Sequence, residues 1–269
     1  MEKPGTINSA PLPRMRTAQI QSLDRGLQLL EYISQAGRPL SLVDLEGVLE
    51  VDRSTVHRLL STLVERGYVA QDPDSKRYSL GLKVVQLSRY AIDSIPLRKI
   101  AKAYMEELKL ASGESVNLAV IANDQVVCVD HEPSDSALAV TNDIGAIFVP
   151  HATSAGKTLL AFQPEEQRMA MLGPGELKAF TPRTIIDINT LTLHLQQVRQ
   201  QGYAVDDEER YLGVRCIAAP IFDHRGKVIA SISVSGPNIR LTYERLPGII
   251  RLAKECADAI SAALGSPRH

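Results

Sequence analysis

Apolar residues recur at helical spacing soon after the N-terminus. In IQSLDRGLQLLEYISQAG, Ile20, Leu23, Leu27, Leu30 and Ile33 fall on one stripe of period 3.6, and Gly37 supplies a stop. A second helix starts at once. Ser41 with Asp44 three residues on has the spacing of a capping box, and Leu42, Leu45 and Leu49 face one way over about ten residues, to near Glu50. VDRSTVHRLLSTLVERGYV follows, with Asp52 as N-cap and Val56, Leu59, Leu60, Leu63 and Val64 as a tight apolar stripe. Gly67 closes it. YVAQDPDSKRYSLG then alternates as two short strands, Tyr68 to Gln71 and Lys76 to Leu80, around the turn DPDS.

The pattern changes beyond residue 80. GLKVVQLSRYAIDSI reads as a helix with Leu82 and Val85 in series, halted by Pro96 and too sparsely apolar to form a core. PLRKIAKAYMEELKLASG is a helix with Leu97, Ile100, Ala101, Tyr104 and Leu108 inward and Gly113 as its stop. SVNLAVIANDQVVCVDHEP reads as two strands around AND, and residues 214 to 235 as a hairpin across His224-Arg225-Gly226. A final helix runs through Leu264. Helices interleaved with antiparallel hairpins predict an α+β fold rather than a doubly wound parallel sheet.

Composition narrows this modestly. The 269 residues are 44% hydrophobic and 23% charged, ordinary for a globular protein. No apolar run approaches the roughly 18 residues of a membrane span, and the polar, proline-bearing residues 1–18 read as a disordered leader, so no membrane role and a cytoplasmic location are expected. Cys128, Cys216 and Cys256 are scattered, and no paired Cys/His cluster occurs, so neither disulfides, metal nor another cofactor is expected. Residues 1–90 carry 12 Lys/Arg against 10 Asp/Glu and residues 91–269 carry 18 against 21, a weak asymmetry within the overall −1. Its sign fits an N-terminal part that contacts DNA.

Two stretches carry candidate chemistry. The polar face of the third helix presents Ser54, His57, Arg58 and Ser61, with Thr55 and Thr62 at its edge. Short hydroxyl, imidazole and guanidinium groups near a helix start suit a helix seated in the major groove. Taken alone, such a face is better read as solvated. Two short helices joined by a tight turn and followed by a hairpin make a winged helix-turn-helix instead. Lys76 and Arg77 in the wing would then lie beside phosphates, or else belong to a solvated turn.

The second stretch, HATSAGKT (151–158), lacks only the first glycine of a phosphate-binding loop, having His151 there. That glycine makes a turn no Cβ tolerates, and Pro150 ends the preceding apolar run, so nucleotide hydrolysis is not expected. What survives is a helix start whose amides at Ser154, Ala155 and Gly156 can hold an anion, with Lys157 structural or at a subunit contact. Farther on, Ser231, Ser233 and Ser235 share one face of a strand in an otherwise apolar stretch. They need polar partners, which a ligand carboxylate can supply.

With both halves in view, the chain resembles the IclR (isocitrate lyase regulator) family of bacterial transcription factors. The carrying stretches are SLDRGLQLLEYI, SLVDLEGVLEVDRSTVHRLLSTLVERGYV, RYSLGLKVVQL, PHATSAGKTLLA, GYAVDDEERYLGVRCIAAPIFD and ASISVSGP, in the expected order over about residues 20 to 265. The resemblance implies a winged helix-turn-helix DNA-binding domain over 19–80, a linker helix over 81–95 and a GAF-like effector-binding domain over 96–265. It implies a homodimer or dimer of dimers on double-stranded operator DNA. Many such proteins are repressors of catabolic operons and some are activators; the effector is often a small carboxylate such as a 2-oxo acid, sugar acid or aromatic acid.

Carried over by motif, the effector pocket falls at Ser154 and Ala155, with Asp206, Cys216, Ser233 and Ser235. Phe148, Val140 and Val214 are expected separately as its apolar wall. Each has a plainer reading. The serines can bond to a neighbouring strand or water, Cys216 can be an inert core residue, and Asp206 sits in DDEE, which usually marks a solvated loop. An enzyme using Asp206, Cys216 and His151 is the competing function, although no hydrolase or cysteine-protease signature accompanies them and it would not need the N-terminal domain.

Overall fold

A computed structural model describes residues 20–49 and 51–267. The leader expected over 1–18 and the helix end expected near Glu50 lie outside the described residues. The chain divides into two compact units, Met1–Ile92 and Asp93–His269.

In the first unit α1 (Gln21–Ala36), α2 (Leu42–Glu46) and α3 (Arg53–Glu65) are followed by the hairpin β1 (Val69–Gln71) and β2 (Tyr78–Leu80), then α4 (Leu82–Asp93). Leu29 and Ile33 of α1, Leu45 of α2, Val56 and Leu60 of α3, and Tyr78 of β2 close a single small core. Each such side chain contributes about 2 kcal/mol by leaving water. The capping box at α2 forms as its spacing predicts: Ser41 Oγ accepts from Asp44 N at 3.2 Å and Ser41 N donates to Asp44 Oδ2 at 2.8 Å.

Two expectations need correction. The second helix spans five residues rather than about ten, because the chain leaves it at Gly47; Leu49 still reaches the core, from a turn. The α1 stripe does not all face inward either. Ile20, Leu23 and Leu27 remain 68%, 60% and 50% exposed while Leu29 and Ile33 are buried.

The second unit is built on a six-stranded antiparallel sheet ordered β5-β4-β3-β8-β7-β6. Its strands are β3 (Ser115–Ala122), β4 (Gln125–Glu132), β5 (Ile147–Phe148), β6 (Ala204–Asp207), β7 (Val214–Phe222) and β8 (Val228–Pro237). One face packs on α5 (Pro96–Ser112) and α9 (Leu246–Ala263) through Val116, Ile217, Ile232 and Val234. The other carries α6 (Ser154–Ala161) and α8 (Ile188–Gln201), with α7 (Glu165–Leu172) beside them. The fold is α+β. Strand period does the sorting: Val234 faces the α5/α9 layer, and its neighbours Ser233 and Ser235 face the α6 side.

Candidate functional site

In the first unit α3 displays the expected polar face. His57, Arg58, Ser61 and Thr62 are exposed, and so are Lys76 and Arg77 in the wing. The hydroxyls are less free than their exposure suggests. Asp52 accepts from Ser54 Oγ at 2.5 Å, Thr55 Oγ1 at 2.9 Å and Thr55 N at 3.0 Å. These bonds, that of Ser54 foremost, hold the Asp52 carboxyl below the usual carboxylate range. Ser61 Oγ and Thr62 Oγ1 donate back to the carbonyls of His57 and Arg58 at 2.8 and 3.0 Å. Arg77 is tied to the Pro39 carbonyl at 3.2 Å, with Asp44 3.9 Å away. His57, Arg58 and Lys76 have no side-chain partner among the described residues.

In the second unit Ser154, Ala155, Asp206, Cys216, Ser233 and Ser235 line one cavity of about 170 Å³. Strand register brings them together from distant parts of the chain. Asp206 of β6 sits opposite Cys216 of β7, and Cys216 opposite Ser235 of β8. Ser233 pairs with Asn117 of β3, whose amide donates to Ser235 Oγ at 3.3 Å. Phe148, Val140 and Val214 form part of the wall, as expected. Ser231, fully buried on the same strand face, lies outside the cavity, and its hydroxyl has no partner among the described residues.

Gly156 requires a correction. Its amide donates to Thr153 Oγ1 at 3.1 Å and so is not available to an anion, and it does not line the cavity. Its role is clearance: a Cβ there would stand 2.4 Å from the Pro150 carbonyl oxygen. The helix start therefore offers the amides of Ser154 and Ala155. His151 also points elsewhere, with Nε2 2.9 Å from the Lys178 carbonyl oxygen, so it joins neither Asp206 nor Cys216.

The solvated-loop reading of DDEE fails at Asp206, which is 2% exposed. Its Oδ1 accepts from Glu209 N at 2.7 Å and Arg210 N at 3.3 Å. Burial, with Glu209 adding to it, raises this carboxyl to about 7. Burial likewise lifts the Cys216 thiol well above its ordinary range, the opposite of what a nucleophile needs. Lys157, the lysine of the near phosphate loop, is fully buried. Its Nζ bonds Glu209 Oε1 and donates to the Val205 carbonyl at 2.6 Å, fastening α6 to the β6 edge of the sheet. A two-residue antiparallel β5 precedes α6 where a nucleotide fold needs a parallel strand. Sequence reasoning did not single out Asn117, Asn142 or Arg210, all of which line the cavity.

Among the described residues no helix is long and apolar enough to cross a membrane, and no cluster of His, Cys, Asp or Glu is placed to hold a metal. Residues 22–73 match the IclR helix-turn-helix domain, and residues 89–262 the bacterial transcriptional regulator IclR C-terminal domain. The chain is 36% identical over 249 residues to the transcriptional repressor AllR of Escherichia coli K12, covering 93% of this chain and 92% of that protein. It is 34% identical over 248 residues to the transcriptional regulator XynR of the same organism, with 92% and 98% covered. The crystal structure of Thermotoga maritima IclR superposes with a TM-score of 0.69 at 29% identity, over 92% of this chain and all of that one. These relatives are helix-turn-helix regulators, not enzymes. The chain thus belongs to the IclR family of DNA-binding transcriptional regulators.

Proposed function

We propose that this protein is a repressor of a catabolic operon whose operator affinity or oligomeric state responds to a small carboxylate. The observation that carries the reading is that one cavity brings the helix start at Ser154 and Ala155 together with Ser233, Ser235, Cys216 and Asp206. Amides and hydroxyls are donors for a carboxylate, and the helix dipole adds to them. A 150 Å³ cavity in another protein holds benzene, so about 170 Å³ suits an acid of a handful of carbons.

On the DNA side α3 enters the major groove with Ser54, Thr55, His57, Arg58, Ser61 and Thr62 toward the bases, while Lys76 and Arg77 follow the backbone. Reading two half-sites about one helical turn apart requires a symmetric dimer, or a dimer of dimers. The apolar residues left exposed in the first unit, Leu23 and Leu27 of α1 with Leu82 and Val85 of α4, support such pairing. AllR is named a repressor, which favours repression over activation here.

The test is a thermal-shift and calorimetric screen of small carboxylates, followed by operator binding with and without each hit. An acid at 100 times its dissociation constant adds about 2.7 kcal/mol to stability. Replacing Ser233 and Ser235 together by Ala should abolish that shift and the change in operator affinity while the chain stays folded. An unchanged response in the double variant would refute the pocket.

A further inference from the structure

The cavity has a second polar pole that the helix start and the serines do not account for. Among the described residues lining it, Arg210 is the one cation. Its guanidinium carbon lies 4.0 Å from the Phe180 ring centroid and 4.7 Å from that of Tyr211. Aromatic contact holds the guanidinium without using its N–H groups, and no side-chain hydrogen bond or ion pair engages them among the described residues.

The stack is itself held in place. Phe180 N donates to Thr184 Oγ1 at 3.0 Å, and Thr184 Oγ1 donates to the Glu209 carbonyl at 2.6 Å, one residue before the arginine. Thr181 Oγ1 donates to the Glu208 carbonyl at 2.7 Å. On the other side His151 bonds the Lys178 carbonyl, two residues before Phe180. Since a carbonyl only accepts, that imidazole carries its proton on Nε2. The Arg210 amide bonds Asp206 Oδ1, so the carboxyl at the end of β6 and the loop that carries the guanidinium are fixed to each other. A half-buried arginine held by two aromatic rings, with its N–H groups uncommitted, is suited to a planar, bidentate acceptor.

We infer that Arg210 is the specificity-determining residue of the effector cavity and that the effector is a small dicarboxylate. One carboxylate sits at Ser154, Ala155, Ser233 and Ser235, and the other is received by the guanidinium. This rests on the carboxylate-binding reading of the cavity and adds the second anionic group. His151 and Phe180 are positioning residues that act through the arginine.

The experiment compares matched probes that differ by one terminal carboxylate, propionate with succinate and lactate with malate. Each is titrated by calorimetry into the full-length protein and into its Arg210→Gln and Arg210→Lys variants. The wild type is expected to bind the diacid of each pair about tenfold or more tightly than the monoacid, the range of a charge-assisted hydrogen bond. Arg210→Gln should erase that preference, bringing the affinity for each diacid down to that for its matched monoacid. Arg210→Lys, which keeps charge but not the planar fork, should restore only part of it. Unliganded melting temperatures like that of the wild type show that the variants fold. If Arg210→Gln keeps the diacid preference, or if the wild type binds monoacids as tightly, the inference falls while the carboxylate pocket stands. If no probe of either kind binds the wild type, both fall.

Discussion

Lys157 of α6 and Glu209 of the loop after β6 form a salt bridge from which water is excluded, the lysine being fully buried and the carboxylate nearly so. The pair ties the helix that starts at the cavity to the loop between Asp206, at the end of β6, and Arg210. Removing one member strands the other in a low-dielectric interior, which costs about 3–5 kcal/mol. Lys157→Met should lower unfolding stability by that order, and adding Glu209→Leu should recover much of the loss. A double-mutant cycle in urea checks this; additive effects would mean the two charges are not coupled.

Asp206 keeps its proton to about pH 7 in the folded protein, against an ordinary 3.8. Between those values the folded state holds more protons than the unfolded chain. Stability therefore falls as pH rises through that window, by at most about 1.4 kcal/mol per unit for one proton, and levels off above it. Asp206→Asn, which keeps the accepting oxygen, should flatten the slope. Denaturant midpoints measured across the window give the comparison.

Gly156 sits against the backbone of Pro150, and a backbone carbonyl cannot swing aside as a flexible side chain can. Gly156→Ala should lower stability by about 1–3 kcal/mol through overpacking, despite better helix propensity. Gly248 in α9 has open space around it, so Gly248→Ala should stabilise by up to about 1 kcal/mol. Opposite shifts in melting temperature are expected; shifts of the same sign would contradict the clearance argument.

Arg58 is exposed on α3 and has no side-chain partner among the described residues. Arg58→Ala should weaken operator binding by about 1–3 kcal/mol, and effector calorimetry should be unchanged. Fluorescence anisotropy on operator DNA provides the readout, and retained affinity would remove this helix from the interface.

Much of the architecture was legible from periodicity and punctuation. The Ser41–Asp44 capping box, the αL glycines ending α1 and α5, and the β7–β8 hairpin all follow local rules and appear where those rules put them. Long-range facts were harder. The Ile20–Leu23–Leu27 stripe looks like core in a single chain because periodicity reports that a face is apolar, not what covers it. The resemblance put Asp206 in the pocket while the acidic run DDEE suggested a solvated loop, yet the strand alternation of AVDD already separates Asp206 from Asp207 on the opposite face, which pairs with Arg215. The helix α8 carries its own signals, an Asp187 cap and a Leu191–Leu195–Val198 stripe, that went unused. Nothing near Arg210 in the chain announces Phe180, since only the tertiary fold stacks them.

The hydroxyl bonds along α3 fix the polarity of its exposed polar face. Ser54, Thr55, Ser61 and Thr62 each direct their only hydroxyl proton into the protein, toward Asp52 or a helix carbonyl. What they turn outward is lone pairs. In a helix seated in the major groove as proposed, these four positions accept from the amino groups of adenine and cytosine and repel phosphate oxygens and the guanine edge. Donation falls chiefly to Arg58, so the face is a sorted array in which hydroxyl acceptors surround a guanidinium donor.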